Sequence, residues 1–581
     1  MKKSVKIYLI GLFLVILIAI FLINYIYQSN IINLTNINAR VIDDPDTRPN
    51  IVVLMVDDFD YYSWKELVKS NKFPNIKREL NRGLEFENSF VVYSLCCPSR
   101  AAFLSGQYCH NNGVYGNSFI KNINGTERLY SGLALWLTED NQTKEEYNVL
   151  PVWLKDQGYE TVHIGKYLNG YGLDVPASYV PPGWSDWNGL IDPSTYQVYN
   201  YTINHNGAVI KYGNNPEDYQ TDILANISVN SINKYSKIKN PFFIQITPIA
   251  SHVTMNFETI AEFAKYFLTH PAELKEFLSS FENSSVLFND YRLAFLARIT
   301  PAPRHKKYID GNIFNGELPH LIKKPSFNES DISDKPPIFQ QLLPLTSDHA
   351  KSADEMYRYG LASIMAVDDL LGKVVYTLKK NNEYENTVII FTSDNGYYFG
   401  EHRLTAKKIP YEEGLRVPLF ISGPGVIKGK TSAPVMNIDL TATIVELASV
   451  QANRTLDGRS LVPLLNNLTA TWNRKQFLAE GYNEVPKSDG VFVIPEFQTL
   501  RILNGTDDKT YIHWPNQNPD LNSTEIIPFD EFYDNKKDPY QLNNAAFNLS
   551  PEQLAQYKNI TSRLHSCKGE KCKMLEDGQY T

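Results

Sequence analysis

Three short polar clusters in this chain could do chemistry together: Asp57-Asp58, Gly165-Lys166 and Asp394-Asn395-Gly396. Aspartate carboxylates and an asparagine amide oxygen are hard ligands, and two such clusters brought to one place would hold Ca²⁺ or Mg²⁺. Taken singly, an Asp pair is more often a helix cap or a turn, so the reading depends on what positions the clusters. Cysteine supplies a second signal. The five cysteines are Cys96, Cys97, Cys109, Cys567 and Cys572, an odd number that in an oxidising compartment leaves one thiol for another task. Cys567 and Cys572 would close a short loop and are expected to form a disulfide.

Each polar cluster follows a short apolar run. Ile51 to Val56 stops at Asp57, Thr161 to Ile164 precedes Gly165-Lys166, and Val388 to Phe391 leads to Asp394. Similar runs occur at Phe242 to Ile246 and Pro418 to Ile421, and helical patterns separate them. Largely apolar runs of this length read as buried strands, and strands alternating with helices predict a parallel or mixed sheet covered on both faces. In such sheets ligands bind beyond the carboxyl ends of the strands, which is where all three clusters fall. Ala353 to Leu378 is the clearest helix, with Met356, Tyr359, Ile364, Val367, Leu371, Val374 and Leu378 on one stripe. Asp368-Asp369 lies inside that helix and is therefore assigned to packing or surface. Pro301 to Pro344 is Pro-rich and reads as a long surface loop. Gln498 to Leu503 and Thr510 to Trp514 suggest a small antiparallel sheet, followed by a final helix near Pro551 to His565.

Length and charge bound the function. A chain of 581 residues with 43% hydrophobic and 21% charged residues has ample core and is not a disordered or fibrous protein. The net charge of -8 lacks the basic excess of a phosphate-backbone binder, which excludes nucleic acid as an expected partner. Three lysines within Met1 to Lys6 precede an apolar run from Ile7 to Ile23, a secretory address long enough to serve as an uncleaved anchor or a long cleaved signal peptide. By the positive-inside rule the rest of the chain would be lumenal or extracellular, and thirteen Asn-x-Ser/Thr sequons between Asn33 and Asn559 agree.

The string Cys96-Cys97-Pro98-Ser99-Arg100, continuing Ala101-Ala102-Phe103-Leu104-Ser105-Gly106, resembles the signature of the type I sulfatase family. Arg48-Pro49-Asn50, Gly165-Lys166-Tyr167-Leu168-Asn169, Thr392-Ser393-Asp394-Asn395-Gly396, Tyr411-Glu412-Glu413-Gly414 with Arg416-Val417-Pro418, and Glu531-Phe532-Tyr533-Asp534 are similar to further family motifs, in family order. The phrase from Gly165 to Gly172, the doubled cysteine, Val180 to Trp187 and Tyr199-Asn200-Tyr201-Thr202 most resemble the N-acetylglucosamine-6-sulfatase group.

The resemblance implies an α/β, alkaline-phosphatase-like sulfatase fold: a large, mostly parallel mixed sheet between helices, plus a small C-terminal antiparallel sheet. It divides the chain into a signal segment (1–29), a linker (30–47), a catalytic domain (48–455), a C-terminal subdomain (456–565) and a tail (566–581). It implies hydrolysis of a 6-O-sulfate on N-acetylglucosamine of a glycosaminoglycan such as heparan or keratan sulfate. An arylsulfatase or other sulfatase of the same fold, or a non-catalytic glycan binder, are the competing readings. In the family the first motif cysteine, here Cys96, is oxidised by a formylglycine-generating enzyme, and one hydroxyl of the hydrated aldehyde attacks sulfur. By the same resemblance Asp57, Asp58, Asp394 and Asn395, with the modified Cys96, hold one Ca²⁺ (or Mg²⁺). Arg100, one helical turn after Cys96, would bond the diol. Lys166 and Lys407 would contact sulfate, Lys407 being chosen over Lys408 because the family lysine stands four residues before the tyrosine of Tyr411-Glu412. His252 would be the general acid, with Asn169 and His402 on the substrate side. Two departures stand out. Leu168 occupies a position where many sulfatases carry histidine, and Ile249-Ala250-Ser251-His252-Val253-Thr254 lacks the prolines that usually flank the histidine.

Overall fold

The computed structural model describes residues 48–123, 126–137, 145–254, 299–308, 318–483, 495–517 and 525–580. The N-terminal apolar run and its linker lie outside these residues, as do the sequons at Asn33, Asn124, Asn141, Asn283 and Asn522. Among the described residues no helix is long and apolar enough to cross a membrane.

Ten strands form the main sheet. In chain order they are β1 (Asn50–Val56), β2 (Leu84–Phe90), β3 (Glu160–Gly165), β4 (Asp186–Leu190), β5 (Thr202–His205), β6 (Ala208–Lys211), β7 (Phe242–Thr247), β8 (Thr387–Ser393), β9 (Leu419–Ser422) and β10 (Gly429–Met436). Their spatial order is β10-β2-β9-β8-β1-β7-β3-β4-β5-β6. The central strands β8, β1, β7, β3 and β4 run parallel, as do β2 and β10, while β9, β5 and β6 pair antiparallel.

β1 shows why an unbroken apolar run belongs at the centre. Successive side chains point to opposite faces; Val52, Leu54 and Val56 enter one core layer, and Ile51, Val53 and Met55 enter the other. The first layer packs under helices α1 (Tyr61–Lys69), α4 (Gln220–Tyr235) and α5 (Ser347–Lys380). The second packs under α3 (Cys96–Ser105) and α6 (Asn437–Leu447). Helix α5 runs past both ends of the predicted span. The Thr346 hydroxyl accepts from the His349 amide at its start, so a cap ten residues upstream of the first stripe residue, Met356, sets the boundary.

Asp368 and Asp369 do the structural work expected of them. Asp368 accepts from the Ile76 amide at 2.7 Å and from Asn75 Nδ2 at 2.8 Å, satisfying the start of α2 (Pro74–Leu80). Asp369 pairs with Arg304 and His305. The described parts of 301–344 are bends, turns, two short helical segments and one isolated bridge, in keeping with a loop.

The C-terminal strands β11 (Gln476–Gly481), β12 (Phe497–Leu503), β13 (Asp508–Trp514) and β14 (Phe529–Asp534) form a four-stranded antiparallel sheet in that order. Helix α7 (Pro551–His565) packs on it, with Ser550 capping the Gln553 amide. A disulfide joins Cys567 to Cys572. The stretch expected as a tail is docked rather than loose. Helix α8 (Glu570–Glu576) inserts Glu576, which accepts from Arg474 Nε at 2.9 Å and from Arg459 at 3.0 Å, and Arg474 also pairs with Asp439 of α6.

One buried ion pair ties the two sheets' supports together. Glu480 of β11 is fully buried and meets His110 Nδ1 and His565 Nδ1, both at 2.9 Å, while His110 Nε2 meets the Cys567 carbonyl oxygen at 2.9 Å. Neither a carboxylate nor a carbonyl can donate, so His110 carries both ring protons. Burial favours the neutral ring, but Glu480 outweighs it and raises the His110 pKa. Burial raises Glu480 too, but the imidazoles hold it down at about 2. The raised histidine stabilises the fold below its ordinary pKa near 6.5, and that contribution is lost as pH rises through the raised value. The depressed carboxylate stabilises above about 4.5, and that contribution is lost as pH falls toward 2. Glu480→Gln should therefore destabilise by roughly 3 kcal/mol near pH 5.5, and the deficit should shrink at pH 9. Thermal unfolding of both proteins at the two pH values checks it; an equal deficit at both would refute the assignment.

Candidate active site

The four strands that carry the expected residues are spatial neighbours, β8-β1-β7-β3. The register sets Val56 beside Ser393 and Gly165 beside Thr247, so Asp57, Asp394 and Lys166 leave the sheet on one edge. Close approach there requires glycine. A Cβ on Gly165, at φ +116, would fall 2.3 Å from the Thr247 carbonyl oxygen. The loop after β7 is pinned by Ser251 N donating to the Asp57 carbonyl at 2.7 Å, which delivers His252 to the same place. Helix α3 points its first turn, Cys96 to Arg100, at the cluster, and Ser99 Oγ donates to the Asp394 carbonyl.

The polar groups interlock. Lys166 Nζ lies 2.5 Å from Asp57 Oδ2, and Arg100 bonds Asp394 Oδ2 at 2.8 Å and Asp57 Oδ2 at 3.3 Å. Lys407 Nζ lies 2.5 Å from Asp58 Oδ1 and 2.7 Å from Cys96 Sγ. Asn395 Nδ2 donates to Asp58 Oδ1 at 2.6 Å, and His252 Nε2 lies 3.5 Å from Asp58 Oδ2. Three carboxylates and three side-chain cations are thus buried together. Desolvation pushes Asp57 up, but Lys166, His252, Arg100 and Lys407 outweigh it and hold it well below the usual carboxylate range. Burial lowers Lys166 and Lys407, and the facing carboxylates override that and raise both. Burial keeps His252 lowered against the pull of Asp58. Burial pushes the Cys96 thiol up to about 11 despite Lys166 and Lys407, so the unmodified side chain stays protonated at neutral pH.

The donor set fits a hard divalent cation. Asn395 Oδ1 is buried without a hydrogen-bond partner among the described residues, while its Nδ2 is committed to Asp58. A buried amide oxygen without a partner is costly unless a cation or a donor meets it. Asp57, Asp58, Cys96 and His252 also offer ligand atoms that all lie within 4.8 Å of one another.

Most of the expected residues therefore meet: Cys96, Arg100, Lys166, His252, Lys407, Asp57, Asp58, Asp394 and Asn395. Asn169 stands one layer out, donating to Tyr196 Oη at 2.8 Å. His402 is elsewhere. It is buried against Glu329, 2.6 Å from Nδ1, with its ring 4.5 Å from that of Tyr411, and among the described residues it makes no hydrogen bond to the cluster. Tyr196 is the residue that sequence reading missed: its ring lies 4.7 Å from that of His252 and under Lys166 Nζ at 4.8 Å. It follows β4, so the strand-end rule that found the other loops would have reached it had Asp186–Leu190 been read as a strand.

The sulfatase family profile matches residues 49–450, and the profile of the N-sulphoglucosamine sulphohydrolase C-terminal region matches residues 400–503. The chain is 31% identical to the goat (Capra hircus) N-acetylglucosamine-6-sulfatase over 547 residues, covering 90% of this chain and 85% of the relative. It is 29% identical to a Volvox carteri arylsulfatase over 554 residues, covering 90% and 76%. A solved structure of a protein bound to its substrate D-glucosamine-2-N,6-O-disulfate superposes with a TM-score of 0.59 at 24% identity, over 91% of this chain and 98% of that one, which speaks for the fold. With the profile spanning most of the described sheet and the family's cysteine and carboxylates converging at its edge, the chain belongs to the sulfatase family, has the alkaline-phosphatase-like fold and is a sulfatase enzyme.

Proposed function

We propose that this sulfatase removes the 6-O-sulfate from N-acetylglucosamine at the ends of glycosaminoglycans such as heparan or keratan sulfate. Formylglycine made from Cys96 and one Ca²⁺ held by Asp57, Asp58, Asp394 and Asn395 would serve it. The observation that carries the reading is the meeting of Cys96, three carboxylates and three cations at one sheet edge, in a chain similar over nine-tenths of its length to an N-acetylglucosamine-6-sulfatase. The same reading assigns the chain to the secretory pathway, lysosomal or extracellular, with residues 1–29 as address or anchor and a formylglycine-generating enzyme as its maturation partner. It keeps 48–455 as the catalytic part and 456–565 as a subdomain packed on it.

When bound, the cation would polarise a sulfate oxygen, and the oxidised Cys96 side chain would supply an oxygen nucleophile. The rest is done by the chain's own groups. Lys166 and Lys407 are compact cations beside Cys96 and so can neutralise the anionic ester. Arg100 ties Asp57 to Asp394 and fixes the start of α3. His252 commits Nδ1 to the Val253 carbonyl oxygen at 2.7 Å, so a proton reaching the leaving alcohol's oxygen must travel through Nε2.

Lys407→Ala should lower kcat by about 100-fold with a smaller change in KM, because a cation on the ester matters most as charge moves to the leaving oxygen. Lys408→Ala should change the rate by little. Steady-state kinetics of the two variants side by side decide the register of the loop. Equal rates would reject it.

Sulfate release from 6-sulfated N-acetylglucosamine, other sulfated sugars and 4-nitrophenyl sulfate tests the substrate. The 6-sulfate should have the highest kcat/KM by about tenfold or more. The resemblance to an arylsulfatase favours the aryl ester as the second reading, and a preference for it would overturn the first.

A further inference from the structure

We infer that Tyr196 and Asn169 form a paired hydrogen-bond grip for the sugar hydroxyl nearest the sulfate ester, selecting carbohydrate over aryl sulfates; this rests on the sulfate-hydrolysing reading of the Cys96 cluster.

Two loops are locked together to make the pair. The loop after β3 carries Lys166 and Asn169, and the loop after β4 carries Tyr196. Asp192 joins them, its Oδ2 accepting from Gly170 N at 2.6 Å and its own amide donating to the Tyr171 carbonyl at 2.9 Å. The Asn169 carbonyl accepts from Leu133 N at 3.0 Å, which fixes the residue from the other side. Tyr196 then lies against Lys166 and His252, the two groups facing the cluster from this side.

The hydrogen-bond roles leave one donor and one acceptor that a single hydroxyl would match. Asn169 Nδ2 donates to Tyr196 Oη, so the phenol uses a lone pair and keeps its proton to donate elsewhere. The same bond orients the amide and leaves Asn169 Oδ1 buried, with no hydrogen-bond partner among the described residues. An acceptor and a donor thus stand side by side. A hydroxyl answers both, giving its proton to Asn169 Oδ1 and accepting from Tyr196 Oη. An amide oxygen left dry costs binding energy, so a ligand without the hydroxyl is penalised. An ester anchored by its sulfate at Lys166 brings its nearest ring hydroxyl toward this pair. In a hexosamine 6-sulfate that is the C4 hydroxyl. An aryl ester offers only a carbon edge.

The test compares kcat/KM on 6-sulfated N-acetylglucosamine, its 4-deoxy analogue and 4-nitrophenyl sulfate. Tyr196→Phe keeps the ring that packs on Lys166 and His252. It should lose at least about tenfold more on the sugar than on the aryl ester, chiefly in KM. Asn169→Ala should show the same preference. The deoxy sugar should cost the wild type a similar factor and cost Tyr196→Phe nothing further. Equal losses on sugar and aryl ester, or additive losses from variant and deoxy substrate, would overturn the grip. A wild type that cleaves the aryl ester and no sugar sulfate would overturn both the grip and the proposed substrate. A wild type preferring a sugar sulfated elsewhere, with the selective loss retained on that sugar, would overturn the 6-sulfate alone.

Discussion

Cys96→Ala will abolish sulfate release, lowering kcat by on the order of 10⁴-fold or more, while the protein stays folded. Cys96 opens α3 with its side chain fully buried, and alanine is a better helix former that leaves only a small void. Lys407 loses its sulfur contact and keeps Asp58, so no cation is stranded. The thiol held at about 11 is protonated at neutral pH, which agrees with the proposed conversion of this residue rather than with a thiolate nucleophile. Peptide mass analysis across residue 96 should find the oxidised side chain in active material. Active protein with only unmodified cysteine, or an alanine variant that turns over, would remove Cys96 from the mechanism.

Asp394→Asn is expected to cost metal and activity together. The amide keeps the volume and can still accept from Arg100, so the fold should survive, but one negative charge leaves the oxygen shell. Loss of a charged ligand should weaken the cation by on the order of 100-fold or more. Metal analysis of the dialysed protein should give about one ion per chain for the wild type and far less for the variant, with activity recovering only at high Ca²⁺. Full stoichiometry in the variant would mean that the ion sits elsewhere or that Asp394 serves only Arg100.

What could be read in the sequence follows from how uniformly each element meets one environment. β1, β3, β7 and β8 are buried on both faces and carry runs of apolar residues, so they and the loops behind them were legible. β4 and β2 were not, because Asp186-Trp187-Asn188-Gly189-Leu190 and Leu84-Glu85-Phe86-Glu87-Asn88-Ser89-Phe90 interrupt the pattern with polar residues. Their partners are distant: Asp186 meets Lys234, and Glu85 meets Trp64 and Lys430. Missing β4 also hid Tyr196. His402 sits close in sequence to Lys407 and was expected beside the substrate, yet its Nδ1 is held by Glu329, a pairing across 73 positions that no local spacing announces. The Asp57-Asp58 and Asp394-Asn395 pairs were legible because each follows its strand directly, leaving the fold little freedom over where to put them.

The burial of Cys96 also has a meaning in time. A side chain with no accessible surface cannot be reached by another enzyme in the finished fold, so the proposed oxidation of Cys96 would belong to a chain that is still open. β8, which brings Asp394 against Arg100, is synthesised roughly 290 residues after Cys96, and at about 5–20 residues per second that is some 15–60 s. Helix α8, whose Glu576 anchors Arg474 beside α6, is among the last segments made. The topology thus keeps the cysteine's surroundings unassembled for most of translation, and on the proposed reading the order of synthesis itself would set how long a maturing enzyme has to find it.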